Sequence, residues 1–275
     1  MPHLIDLMHL GRDRVIGAYE LDGVVVDPGP SSCLESLLAG LENEPRALLL
    51  THIHLDHAGA SGSLVERFPR VRVYVHEVGA PHLVDPERLL ASAGRLYRDE
   101  LEKLWGDVRP VPSGNVVPLG GGEEIEGLRV ARAPGHASHH VVYLDPSTGD
   151  AYVGDVAGVR IPPHEFTVAP TPPPDIDVEA WEGSLRALAA RRPQRLWLTH
   201  FGSVDDVGEQ LDRVRDGLRL NADRARPGDR ERFLRQVEEE IDAGLDAEAA
   251  ARLRQAAPSD LQWLGLERYW RKTAA

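Results

Sequence analysis

The chain has 275 residues, 42% of them apolar and 27% charged, with a formal charge of −13. That length allows one large domain or a domain with an appendage, and no apolar run approaches the roughly 20 residues that span a bilayer. The acidity argues against a nucleic-acid polyanion as substrate, because phosphate contacts need basic surface; two divalent ions would still leave the chain acidic. Cys33 is the only cysteine, which excludes an intrachain disulfide, and Met1 to Asp6 has no basic region followed by an apolar one. Both features fit a cytoplasmic protein. Arginine carries nearly all the positive charge, with lysine only at Lys103 and Lys272.

In chain order, His3–Leu10, Val15–Leu21 and Gly23–Val26 read as three strands in a meander, with Leu21-Asp22-Gly23 as the turn signal. Asp27-Pro28-Gly29-Pro30 is a loop at a strand end. Asp27 there is a candidate hydrogen-bond partner for the loop that follows, or a plain turn aspartate. Ser31 or Ser32 is expected to cap a helix with Leu34, Leu37, Leu38 and Leu41 on one face. Ala47–Leu50 is a buried strand, and Ala58–Phe68 a short helix. Val71–His76 is a strand. Residues 77–112 form a helical insert broken at Pro81 and Pro86, which is expected to wall a substrate pocket. Short strands follow at Val116–Pro118, Glu123–Glu126 and Leu128–Ala133, then at Val141–Leu144.

Between Ala47–Leu50 and the short helix lies Thr51-His52-Ile53-His54-Leu55-Asp56-His57. Three histidines and an aspartate fall within six positions at the end of a strand, where α/β sheets place their chemistry. In extended backbone, side chains two apart point the same way, so His52 and His54 can reach one metal ion together. Asp56 and His57 sit where the chain turns into the helix and can hold a second ion. Solvated loop histidines are the bland alternative, and the density of the cluster speaks against it. Three further strand ends finish in residues of the same kind: Pro134-Gly135-His136, Gly154-Asp155 and Thr199-His200. Any one of them alone means nothing; their joint occurrence in this order is specific.

After Asp155 comes a proline-rich loop, in which His164 and Phe166 are candidate substrate contacts. Val178–Arg191 is a helix with Trp181, Leu185 and Leu188 inward. Beyond Gly202 no strand signal is left. Residues 204–275 read as helices around Val204–Leu218, Phe233–Ile241, Ala247–Ala256 and Leu261–Trp270. Their apolar faces, with Trp263, Tyr269 and Trp270, need a partner: the preceding domain or the second subunit of a homodimer.

His52-x-His54-x-Asp56-His57, Gly135-His136, Gly154-Asp155 and Thr199-His200, in that order from Leu4 to Gly202, resemble the motifs of the metallo-β-lactamase superfamily. The resemblance implies an α+β fold, a four-layer αββα sandwich over residues 1–203, carrying the 77–112 insert and followed by a C-terminal helical extension over 204–275. It implies two divalent ions per chain, zinc with iron and manganese as the other candidates. One would sit on His52, His54 and His136, the other on Asp56, His57 and His200, with Asp155 between them. Asp56 and Asp155 would then be the catalytic carboxylates. A metal-bridging hydroxide would cleave a small ester, lactone or thioester without a serine or cysteine nucleophile. No nucleic acid and no membrane partner is expected. The helical tail and the region near Tyr97 look like the glyoxalase II and lactonase-like branches. Val156-Ala157-Gly158 and the prolines after Asp155 depart from glyoxalase II, as does Ala137-Ser138-His139-His140 after His136. His139 is extra to the pattern and a candidate to hold a ligand in place; His140 matches a histidine that is usually not a ligand. The alternative is a persulfide dioxygenase-like oxidoreductase with one iron, and after it a phosphodiesterase or nuclease. His54 excludes the flavin-linked di-iron pattern, which has glutamate there.

Overall fold

A computed structural model describes residues 1–274. It divides into two compact units, Met1–Ala131 and Arg132–Ala275. Among the described residues no helix is long and apolar enough to cross a membrane.

The first unit is built on a six-stranded sheet: β1 (His3–Asp6), β2 (Gly17–Leu21), β3 (Val24–Val26), β4 (Ala47–Leu49), β5 (Arg72–His76) and β6 (Val116–Leu119), paired in that order. β1 to β3 form the expected antiparallel meander. Asp22 and Gly23 both have positive φ, which gives the β2–β3 turn the twist that hairpin strands require. From β3 to β6 the pairing is parallel. The crossovers carry α1 (Leu34–Gly40), then α2 (Leu55–Ala58) and α3 (Ser61–Arg67), then α4 (Ala80–Val84), α5 (Glu87–Tyr97) and α6 (Leu101–Trp105) of the insert. β4 is buried along its whole length, which explains its unbroken apolar run. Parallel register aligns Val26 with Leu49 and Leu49 with Tyr74, so Asp27 and the His52–His57 loop leave the sheet at one edge. The unit ends in a hairpin of β7 (Glu124–Ile125) and β8 (Leu128–Arg132).

Three details differ from the sequence reading. The first strand stops at Asp6, because Met8 and Leu10 adopt left-handed backbone and residues 9–11 form a 3-10 turn. Neither serine caps α1; Ser31 Oγ donates to Gly59 O (2.8 Å) and Ser32 Oγ to Leu104 O (2.6 Å), so both hydroxyls tie loops instead. The single helix expected after the histidine cluster is two short ones, α2 and α3.

The second unit contains β9 (Val141–Leu144), β10 (Asp150–Tyr152), β13 (Arg195–Leu198) and β14 (Gly202–Val204), in the order β14-β13-β10-β9. β10 and β13 are parallel and joined through α7 (Val178–Ala190); the other neighbours are antiparallel. The proline-rich segment contributes a small ribbon, β11 (Val159–Arg160) with β12 (Thr167–Val168). β14 corrects the expectation that strands end before the tail: Gly202 has φ of 84°, which turns the chain back along β13. The tail proper is α8 (Val207–Ala225), α9 (Arg230–Gly244), α10 (Ala247–Ala256) and α11 (Ser259–Thr273).

These helices pack within their own unit. Trp263 and Tyr269 are buried. The Trp263 ring meets Phe233 at a tilt (5.4 Å between ring centres), Tyr269 Oη donates to Glu179 of α7 (2.6 Å), and Trp270 Nε1 donates to Ala222 O (2.7 Å). The aromatics that looked available for a dimer face are therefore satisfied inside the chain.

Candidate metal centre

In the first unit the site is built around Asp27. Its φ of 49° is rare for a residue with a Cβ, and its carboxylate is fully buried. The surrounding donors account for both. Oδ1 accepts from Thr51 N (2.8 Å), and Oδ2 accepts from Thr51 Oγ1 (2.7 Å) and from His57 Nδ1 (2.9 Å). A carboxylate accepts only, so His57 carries its proton on Nδ1 and presents the Nε2 lone pair on the other side. Thr51 extends the same logic. Its hydroxyl proton is committed to Asp27, so its oxygen accepts from His52 Nδ1 (3.1 Å), and His52 too presents Nε2. That nitrogen lies 2.9 Å from His54 Nδ1, and His57 Nε2 lies 3.7 Å from Asp56 Oδ2. Thr51, His52 and His57 are buried, while His54 and Asp56 are half-buried. The loop is held against its neighbour by Gly29 N donating to His57 O (3.0 Å). A side chain at Gly29 would collide with Leu7, since a Cβ there would stand 2.1 Å from Leu7 Cδ1.

In the second unit, parallel register pairs Tyr152 with Trp197, so Asp155 and His200, three residues beyond each, emerge at one sheet edge. His136 comes in on the Pro134-Gly135 turn. Gly135 has φ of 138°, and a Cβ would stand 2.3 Å from Trp181 Cα, so only glycine lets α7 seat this closely. The Trp181 ring meets His136 edge-on at 5.4 Å. His136 Nδ1 donates to Pro170 O (2.9 Å), which places the lone pair on Nε2. Nε2 faces Asp155 Oδ2 at 3.3 Å, and His200 Nε2 stands 3.5 Å from Asp155 Oδ1. All three side chains are buried.

A lone pair facing a carboxylate oxygen repels it unless a positive charge lies between them. A proton would draw the pair to the 2.7–2.9 Å typical of a charge-assisted hydrogen bond. Two ligands about 2.0–2.2 Å from one tetrahedral ion lie roughly 3.3–3.6 Å apart, and the separations of 3.3 and 3.5 Å around Asp155 fit that. The donor set, imidazole with carboxylate, suits zinc, iron or manganese. Each unit thus carries donors that fit a divalent ion, and in each the ligand tautomer is set by an acceptor behind the ring.

The other candidates from sequence are His139, His164 and Phe166. His139 is buried, and His140 Nε2 accepts from Asp155 N (3.3 Å). His164 Nε2 is taken by Asp246 Oδ2 (2.9 Å), the residue that caps α10. The Ala249 N–H first, and His164 second, hold the Asp246 carboxyl below its ordinary range. Phe166 packs on Gly244 at the end of α9. Both loop residues are thus engaged with the tail helices. Thr51 and the Pro170 carbonyl were missed from sequence. A threonine before a histidine cluster is a usable signal, whereas a backbone carbonyl leaves none.

The family model of the metallo-beta-lactamase superfamily matches residues 15–200. A metallo-beta-lactamase fold-containing protein of Sulfurisphaera tokodaii, ST1585, is 27% identical over 218 residues, 73% of this chain and 78% of the relative. A hydroxyacylglutathione hydrolase of a Synechococcus strain is 31% identical over 135 residues, 48% of this chain. The chain spans only 42% of that relative's length. Among solved structures, the archaeal superfamily protein ST1585 from Sulfolobus tokodaii aligns with a TM-score of 0.73 over 96% of this chain and 97% of the other, at 23% identity. TTHA1623 in a di-iron-bound form aligns with a TM-score of 0.57 over 72% and 93%, at 27% identity. The fold these share, mixed sheets with helices and here with C-terminal helices, is the α+β architecture that the motif order implied. With two thirds of its length inside the family model and the motif histidines on that stretch, the chain belongs to the metallo-beta-lactamase superfamily.

Proposed function

We propose that the protein is a dinuclear metal-dependent hydrolase of a small ester, lactone or thioester. The observation that carries this reading is Asp155, whose two oxygens each face Nε2 of a different buried histidine, His136 and His200, at a metal-ligand spacing. His52, His54 and His136 would hold one ion, Asp56, His57 and His200 the other, and Asp155 both. Divalent ions held there would supply a water of lowered pKa as nucleophile and a polarised scissile carbonyl. The chain's own residues do the rest. Asp27 and Thr51 keep His57 and His52 in the ligating tautomer, the Pro170 carbonyl does the same for His136, and half-buried Asp56 would accept or pass a proton. The hydrolase identity of the partly matching Synechococcus relative supports the reading.

Metal per chain in the purified protein tests it, followed by a screen of lactones, esters and thioesters. Close to two ions with hydrolysis is the expected result, and Asp155→Ala should bring the count below two. His139→Ala should leave both ions in place; loss of metal there would mean that the ligands are misassigned. The di-iron form of TTHA1623 shows that iron enters a related fold. A single iron that persists when more metal is offered, with oxygen uptake on persulfides, would replace the hydrolase by a dioxygenase.

A further inference from the structure

We infer that the C-terminal extension is part of the metal centre's scaffold, with Gln210 of α8 and Trp181 of α7 acting as positioning residues for Asp155. The inference rests on the reading of Asp155 as a metal ligand. The turn that follows Asp155 is wholly buried at Val156 and Ala157, and two of its carbonyls point into the protein. Trp181 Nε1 donates to Val156 O at 2.8 Å, and Gln210 Nε2 donates to Ala157 O at 2.8 Å. Both donors are themselves fully buried. Neither bond belongs to a helix or a sheet ladder, so no regular structure would replace it.

Each donor is held on its far side. Gln210 Oε1 accepts from Arg160 Nη1 (3.3 Å), which fixes which end of the amide faces Ala157. Arg160 Nη1 also donates to Asp206 Oδ1 (2.8 Å), just ahead of α8. The same arginine's backbone pairs with the other ligand strand: Arg160 N donates to His200 O (2.7 Å), and Phe201 N to Arg160 O (3.2 Å). Gln210 therefore grips, through the segment 157–160, the loop of Asp155 and the strand end of His200 together. Trp181 touches the third ligand of this unit, with its ring against His136 and its N–H on Val156 O. Three ligands on three separate loops are tied by two side chains, one of them supplied by the tail.

Val237 provides a control for stability alone. It is buried on α9, whose neighbours are tail helices. Gln210→Met deletes the amide's hydrogen bonds at similar volume, and Val237→Ala deletes buried apolar contact only. Full-length apoprotein would be titrated with zinc by calorimetry and with cobalt(II) by visible absorption, and its urea midpoint measured without metal. Both variants should lose apoprotein stability. Only Gln210→Met should weaken the more loosely held ion, by about tenfold or more, and alter the cobalt spectrum. Trp181→Phe, which keeps a ring against His136 and loses the N–H, should do the same. Wild-type affinities and spectra in Gln210→Met and Trp181→Phe would overturn the inference, as would an equal loss of affinity in Val237→Ala. A wild-type protein that binds fewer than two ions would instead overturn the dinuclear reading, and the positioning role is then judged by the same criteria on the ion that remains.

Discussion

Asp27→Asn is the sharpest test of the tautomer argument, since it changes one atom in a fully buried group that accepts from three donors. The amide can sit in two ways. With its oxygen toward Thr51 N, its NH₂ faces His57; Nδ1 must then accept, and the imidazole proton moves to Nε2, the nitrogen that faces Asp56. Every group keeps a partner, so the metal-free protein adopts this arrangement at small cost. Ligation needs the opposite one, with the oxygen toward His57 and the NH₂ against the Thr51 N–H. That leaves a buried donor unsatisfied, at about 1–3 kcal/mol. Metal binding must supply this amount, so affinity should fall roughly 5- to 150-fold, in line with the loss found when the group behind a ligating histidine is removed. The assay is zinc titration of apoprotein beside urea unfolding of the same sample. The expected result is a marked loss of affinity with a small change in apoprotein stability. A variant that loses stability and binds zinc as the wild type does would show that Asp27 only ties the loop, and the tautomer argument would fail.

Glu20 makes a separate prediction about pH. Burial pushes its carboxyl up, but the N–H groups of Glu42, Gly23 and Asn43, with the Asn43 amide, reverse that and hold it below the usual 4.5. A depressed carboxyl contributes stability above the ordinary pKa and loses it as pH falls through the folded value, so Glu20→Gln should cost about 1.5–3 kcal/mol at pH 7 and flatten the acid limb of stability; an unchanged slope below pH 4.5 would refute this. Gly135→Ala should destabilise by roughly 2–6 kcal/mol through collision with Trp181 and its positive φ. Gly183→Ala, with only Arg186 at 3.9 Å, should stabilise α7 by about 0.5–1 kcal/mol; equal urea midpoints for the two variants would contradict the packing account. Removing residues 206–275, which spares β14, should yield a chain that aggregates or binds hydrophobic dye, since buried Val214 and Leu218 leave with α8; a soluble fragment with two ions per chain would refute it.

What could be read from sequence follows from which interactions are local. β4 and the histidine cluster were plain because one strand end carries four ligand-type residues, and the hairpin at Asp22-Gly23 because its turn chemistry is local. The Ser31 and Ser32 caps failed for the opposite reason: their hydroxyls are claimed by Gly59 and Leu104, which lie 28 and 72 residues away. β14 was hidden because three residues between a turn and a helix give no periodicity. The ligand types at positions 136, 155 and 200 were legible, while what holds them was not. Pro170 acts through a carbonyl, and Trp181 read as an ordinary inward-facing helix residue.

The two units meet the same chemical requirement by different means, and the difference bears on what each tolerates. Both need a histidine with its proton on Nδ1 and its lone pair toward a carboxylate. In the first unit an aspartate behind the ring meets that need, so His57 is backed by a formal charge that raises its basicity and its hold on a cation. In the second a neutral carbonyl backs His136, a weaker acceptor that no single substitution can remove. Orientation there depends instead on the loop that presents Pro170, and that loop is itself fastened to the tail: Thr171 Oγ1 donates to Gln262 O (3.1 Å), and a Cβ at Gly265 would stand 2.0 Å from Thr171 O. The first set is thus sensitive to point changes at Asp27 and Thr51, whereas the second is sensitive to how α11 seats. Gly265→Ala, more than 60 residues from the nearest ligand in sequence, should therefore displace the Pro170 carbonyl and loosen His136, while leaving the Asp27 bonds to Thr51 and His57 as they are. Histidine NMR of the apoprotein would separate the two: the His136 signals should shift and broaden and those of His57 stay fixed, and the reverse pattern would refute the division.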